Sequence, residues 1–200
     1  MSPDTGVATR DTRARIVDAA DRLFYESGYE NTSFAVIADA VSLSRGNFYH
    51  HFKTKDDLLA AVIDKRIDDT RAMLADWEAQ TPDPRRRLEL FIEITQRNLG
   101  DISRFGCPVG SLVTELAKSG NAAKPLAASL FALFGDWLTV QFADAGCGFD
   151  ARANATHLLV MSQGIAVLSA ALDDQRFVDR EVGDIRAWLA EQLPAHKAGE

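Results

Sequence analysis

The 200-residue chain is short of cysteine, of proline and of net positive charge, and each shortage removes a class of protein. Its two cysteines, Cys107 and Cys147, allow at most one bridge, so no disulfide framework is expected. Neither lies in a C-x-x-C pair, which argues against a zinc-finger type of metal site. Six prolines and thirteen glycines are too few for a collagen-like or linker-dominated chain. The longest apolar stretch, about 158–172, is interrupted by Ser162, Gln163, Gly164 and Ser169. It is shorter than the roughly 20 residues that span a bilayer, so no membrane association is expected. The opening Met1-Ser2-Pro3-Asp4 is not followed by a charged-then-apolar leader. A soluble, cytoplasmic protein is the expectation. Catalytic patterns are missing too: no Glu-x-x-His, no His-Glu-x-x-His, no phosphate loop, and no nucleophile beside a base. No catalytic residue, cofactor or metal site is therefore assigned. The His50-His51 pair does not change this, because neighbouring helical residues point about 100° apart.

What is present is an ordinary globular composition, 46% hydrophobic and 26% charged. The net charge of −7 is unevenly spread. Residues 1–66 carry nine Lys and Arg against ten Asp and Glu, while 67–200 carry thirteen against nineteen. Arg45 to Lys55 holds Arg45, Lys53 and Lys55 and no acid. Local charge decides whether a surface can meet phosphate. The tempting run Arg85-Arg86-Arg87 reads instead as a solvated helix start and receives no role.

Hydrophobic periodicity is helical almost throughout, and no sustained alternation of the strand kind occurs. Ile16, Ala19, Ala20, Leu23 and Phe24 form one stripe, ended by Ser27-Gly28. Thr32 or Ser33 can cap a second helix with Phe34, Ile37, Ala38 and Val41 inward. After the break at Ser42-Leu43, Ser44 can cap a short third helix carrying Phe48, Tyr49 and Phe52. Thr54 and Asp57 resemble a capping box for a long helix over 55–79. Further helices are expected to about Gly100, over 109–117, 123–144, 151–172 and 178–193. The fold class is all-α.

Ser33 to Lys55 is the most informative stretch. Two short helices joined by a tight break suggest a helix-turn-helix, whose second helix enters the DNA major groove. Arg45 can donate two hydrogen bonds to guanine, and Asn47 can pair with adenine. Gly46 removes side-chain bulk, so the backbone can approach the duplex. Tyr49, His50, His51 and Lys55 supply donors for phosphate oxygens. Thr32 and Ser33, at the start of the second helix, offer amides to a further phosphate.

Residues 37–58 resemble the signature of the TetR/AcrR transcriptional regulators, I-A-x-x-A-G-V-S-x-G-T-L-Y-x-H-F-x-(S/N)-K-x-x-L. Ile37, Ala38, Ser44, Gly46, Tyr49, His51, Phe52, Lys55 and Leu58 match directly. Leu43, Asn47 and Phe48 stand for Val, Thr and Leu. Val41-Ser42 occupies the place of Ala-Gly, and a left-handed conformation at Ser42 would cost about 1 kcal/mol. The resemblance implies an N-terminal three-helix DNA-binding domain, 1–54, and a C-terminal ligand-binding and dimerisation bundle, 55–200. It implies a homodimer through the last two helices, double-stranded operator DNA as partner, and release by an unidentified small-molecule inducer. The 55–79 helix would join head to pocket. Phe91, Phe105, Cys107, Leu112, Phe134, Trp137 and Met161 are the candidate ligand-binding residues. Cys107 matches the region where some relatives sense electrophiles, and the amides after it favour a thiolate; a small buried thiol would read the same way. The rival readings are an all-helical ligand-binding module or an enzyme, neither of them binding DNA.

Overall fold

The computed structural model describes residues 5–172 and 174–194, with side chains from residue 11 onward. It is 84% helical, with no strand among the described residues. The helices are α1 (Thr5–Ser27), α2 (Phe34–Ala40), α3 (Arg45–His51), α4 (Lys55–Gln80), α5 (Pro84–Arg97), α6 (Leu99–Phe105), α7 (Pro108–Ser119), α8 (Lys124–Asp144), α9 (Ala151–Leu172) and α10 (Gln175–Gln192). A 3-10 turn at Gly148–Asp150 leads into α9. The chain packs as two compact units. The first runs to Asp69 and takes in Ser111–Ser129; the second holds Thr70–Gly110 and the residues from Leu130 on. Packing therefore draws Lys55–Asp69 and Ser111–Ser129 in with the head expected over 1–54.

In the first unit, Ile16, Val17, Ala20 and Phe24 of α1, Ile37 and Ala38 of α2, and Phe48 are buried. So are Leu58, Leu59, Val62 and Ile63 of α4. This is the expected i, i+3, i+4 stripe turned to one core. Leu112 and Leu116 add the buried face of α7. Polar contacts tie the helices: Arg66 Nε donates to Asp21 Oδ1 at 2.6 Å, and an Arg15 amino group donates to the Val41 carbonyl at 3.0 Å. Gly28 ends α1 with φ +87°, a left-handed conformation that favours glycine.

The second unit is built on Leu74, Trp77, Leu88, Phe91, Ile92, Trp137, Leu138, Phe142, Leu158, Ile165, Val178, Val182, Ile185 and Leu189. Its buried polar groups are paired. Gln141 accepts from Arg87 at 3.2 Å, and the Trp137 indole donates to Glu78 at 2.8 Å. Caps set its helix starts: Asp83 precedes Pro84 and accepts from the Arg85 amide at 2.9 Å, and Asp174 accepts from the Arg176 amide at 2.9 Å.

Two expectations need correction. The helix expected to reach Gly100 breaks at Asn98, whose φ −99° and ψ 12° lie in the bridge region, and α6 follows. The last helix starts at Gln175 rather than 178, because Asp174 caps it one turn before the apolar stripe. Cys147, in the loop between α8 and the 3-10 turn, packs against the second core and donates to the Gln192 carbonyl at 3.5 Å. Burial raises its thiol pKa. By length and composition alone, α8 and α9 would pass as bilayer-crossing helices. Leu138 and Phe142 of α8 and Leu158 and Ile165 of α9 are instead core residues.

Candidate nucleic-acid interface

Two N-caps build the motif. The Ser33 hydroxyl accepts from the Val36 amide at 3.3 Å, and the Ser44 hydroxyl accepts from the Asn47 amide at 3.4 Å. Between them, α2 closes on Ser42 at φ 56°, the one non-glycine residue with positive φ among those described. The Ser42 amide bonds to the Asp39 carbonyl at 3.1 Å and the Leu43 amide to the Ala38 carbonyl at 2.9 Å. This paired return is the Schellman closure, usually made with glycine. Serine holds it here, with the strain the sequence implied.

Phe48 and Phe52 anchor α3, at 1% and 2% exposure. With those two rings inward, Arg45, Gly46, Asn47, Tyr49 and His50 all face solvent. A side chain added at Gly46 would meet nothing within 4 Å, so this stretch of backbone is open to close approach. Phe34 lies 4.8 Å from Phe48 and 5.5 Å from Tyr49, which props the tyrosine at the rim of the core. Lys53 Nζ donates to the Tyr49 carbonyl at 2.6 Å. Lys55 Nζ donates to the Glu30 carbonyl at 3.2 Å and lies 4.2 Å over the Tyr29 ring. An ammonium has three donors, so this tether leaves capacity for a phosphate. Thr54 and Asp57 bond reciprocally, at 3.1 and 3.0 Å, and start α4 as expected.

His51 is half-buried. Burial first, then the neighbouring charges of His50 and Arg13, holds its pKa below the ordinary histidine value. Arg13 comes from α1, with its guanidinium 4.8 Å over the Phe52 ring. Sequence reading missed it, since an arginine in the first turns of a long helix carries no mark of where that helix will pack. Thr32 is a correction. It is 2% exposed, and its hydroxyl donates to the Gly28 carbonyl at 2.7 Å. Ser33 alone of the two caps α2, and Thr32 ties the turn back to α1.

Leu112 belongs to the first unit and is buried there. In the second, Phe91 is core and stacks edge-on to Phe134 at 5.8 Å. Met161 packs against the same core, and Phe105 is half-buried. Cys107 Sγ accepts from the Gly110 amide at 3.4 Å at the start of α7. An open groove of about 360 Å³ is lined by Arg71, Leu74, Ala75, Glu78, Leu133, Asp136, Trp137 and Val140, and Trp137 is the one expected residue on it. Among the described residues, no group of three or more His, Cys, Asp or Glu is placed to hold a metal.

A capped short helix, a strained tight break and a second short helix with an outward arginine and carboxamide define a helix-turn-helix protein. The family model described as bacterial regulatory proteins, tetR family, matches residues 16–62, from the body of α1 into α4. Residues 16–62 are thus similar to the DNA-binding segment of that family. It is similar to an uncharacterized HTH-type transcriptional regulator from Lactococcus lactis, 30% identical over 114 residues, covering 54% of this chain and 56% of that one. It is also similar to the HTH-type transcriptional regulator TtgR of Pseudomonas putida, 28% identical over 124 residues, covering 57% and 59%. The chain thus spans little more than half the length of these curated relatives, which are named as transcriptional regulators rather than enzymes. A TetR-family regulator from Cytophaga hutchinsonii superposes with a TM-score of 0.81 at 18% identity, over 95% of this chain and 98% of that one, and so shares its fold.

Proposed function

We propose that this chain is a dimeric, ligand-responsive transcriptional repressor that grips operator DNA with α3. The observation that carries the reading is the outward display of Arg45, Gly46 and Asn47 on a helix pinned from behind by Phe48 and Phe52. Arg45 and Asn47 then read base edges, while Ser33, Tyr49, His50, His51 and Lys55 hold phosphates. Residues 1–54 serve as the DNA-binding head and 55–200 as the ligand-binding and dimerisation part. In line with this, α4 runs unbroken from Lys55 to Gln80. The second copy docks on α9 and α10. Val160, Val167, Leu168 and Leu172 leave an apolar stripe exposed on α9, which supports that face. A small apolar or electrophilic inducer releases the operator by binding one conformation better than the other. The helix-start amide at Cys107 supports the electrophile variant. The protein acts in the cytoplasm, away from membranes.

The test is binding of the purified protein to a duplex from the promoter region of its own gene, against a random duplex of equal length. The expected outcome is preference for the promoter duplex by at least about a thousandfold, the lower end for specific DNA-binding proteins. Equal binding to both would remove the sequence-reading role.

A further inference from the structure

Glu115 lies more than eighty residues along the chain from the α1–α2 turn, yet packs in the same compact unit. Its carboxylate accepts two consecutive backbone amides of that turn. Tyr29 N–H reaches Oε2 at 2.9 Å and Glu30 N–H reaches Oε1 at 2.8 Å. Bonds from backbone amides to a carboxylate are of the stronger, charge-assisted kind. The left-handed Gly28 turns the chain here, and a Cβ at Gly28 would stand 3.2 Å from a Glu115 carboxylate oxygen. A second tie lies alongside: Asn121, just past α7, donates to Asp56 Oδ1 at 3.2 Å, and the Tyr29 hydroxyl donates to the same oxygen at 2.7 Å.

The turn so held leads straight to Ser33, the cap of α2, and through α2 to α3. We infer that Glu115 is a positioning residue of the DNA-binding head: its carboxylate clamps the Tyr29-Glu30 turn and fixes how α2 and α3 are presented to the duplex. This rests on the DNA-binding reading above. Glu115 itself meets no DNA. Its removal leaves Leu112 and Leu116 to hold α7 against the core, so the clamp can open without unfolding the unit.

The experiment uses the full chain and its Glu115→Ala, Glu115→Asp and Lys118→Ala variants. Three readouts are taken: affinity for the promoter duplex by fluorescence anisotropy across a salt series, deuterium uptake of the peptide spanning Tyr29 and Glu30, and circular dichroism. For Glu115→Ala the expected result is roughly tenfold weaker binding, from loss of two charge-assisted bonds partly offset by water. The salt slope should stay unchanged, since no phosphate contact is lost, and uptake at the turn should be faster. Asp, one methylene shorter, should fall between Ala and wild type and keeps the test valid if Ala fails to fold. Lys118→Ala should change nothing. Faster uptake with wild-type affinity would reduce Glu115 to a structural clamp, and unchanged uptake would remove the clamp itself. If the unmutated protein binds no duplex, the DNA-binding reading falls and the positioning role falls with it.

Discussion

The two compact units are built on the same kind of apolar core but display opposite surfaces. The first shows Arg45, Asn47, His50 and Lys53 along a segment without an acid. The second shows an apolar stripe on α9, with Val167 at 67% and Val160 at 60% exposure. A polar side chain held outward on a short, anchored helix has few structural duties, so its type speaks for its use. An apolar side chain on a long helix has three possible duties, in core, pocket or interface, and its type does not separate them.

The largest expected effect breaks the second surface. Val167→Asp with Leu168→Asp would place carboxylates in the apolar face proposed to pair two copies. Uncompensated buried charge costs about 3–5 kcal/mol. Light scattering should show a monomer with an intact helical spectrum, and a dimer of unchanged affinity would mean that another face pairs the subunits. Next comes Arg45→Ala in the head. It should cost about 1–3 kcal/mol on the selected operator and relax the preference at one base pair, read by competition with single-base operator variants. An unchanged preference at every position would remove Arg45 as a base reader.

Most of the first surface was legible because local rules set it. Ser33 and Ser44 cap their helices, Thr54 and Asp57 close the expected box, and the anchors Phe48 and Phe52 leave Arg45 and Asn47 outside. The 151–172 helix also follows from periodicity alone. What stayed hidden was tertiary. No local pattern marks Glu115 as the partner of a turn far back in the chain, or shows that the Thr32 hydroxyl bonds back to the end of α1. Along α9, Ala166 and Ser169 face the core, whereas Gly164, Ala170 and Ala171 face solvent. The break at Asn98 was missed because an asparagine in a helical pattern gives only a weak stop signal.

A smaller effect tests the strain in the helix-turn-helix break. Ser42→Gly should raise stability by up to about 1 kcal/mol, the relief of a left-handed serine less the added freedom of glycine when unfolded. Urea unfolding measures it, and a loss of stability would show that Ser42 supplies a compensating contact. The pH dependence sets head against duplex. The pKa of His51 is depressed in the fold, so its stabilising contribution is complete above about 6.5 and is lost as pH falls through the lowered value. A phosphate beside the ring favours the charged form. DNA affinity should therefore rise, by less than about tenfold, from pH 8 to pH 6, while folding stability declines slightly. Affinity that does not change with pH would place His51 away from phosphate.

The most direct measurement is the slope of log affinity against log salt concentration for the promoter duplex, taken for the wild type and Lys55→Ala. If α3 sits in the major groove with Lys55 on the backbone, the slope is steeply negative, and its magnitude falls by about one in the variant. Salt-independent binding, or no binding to any duplex, would contradict it.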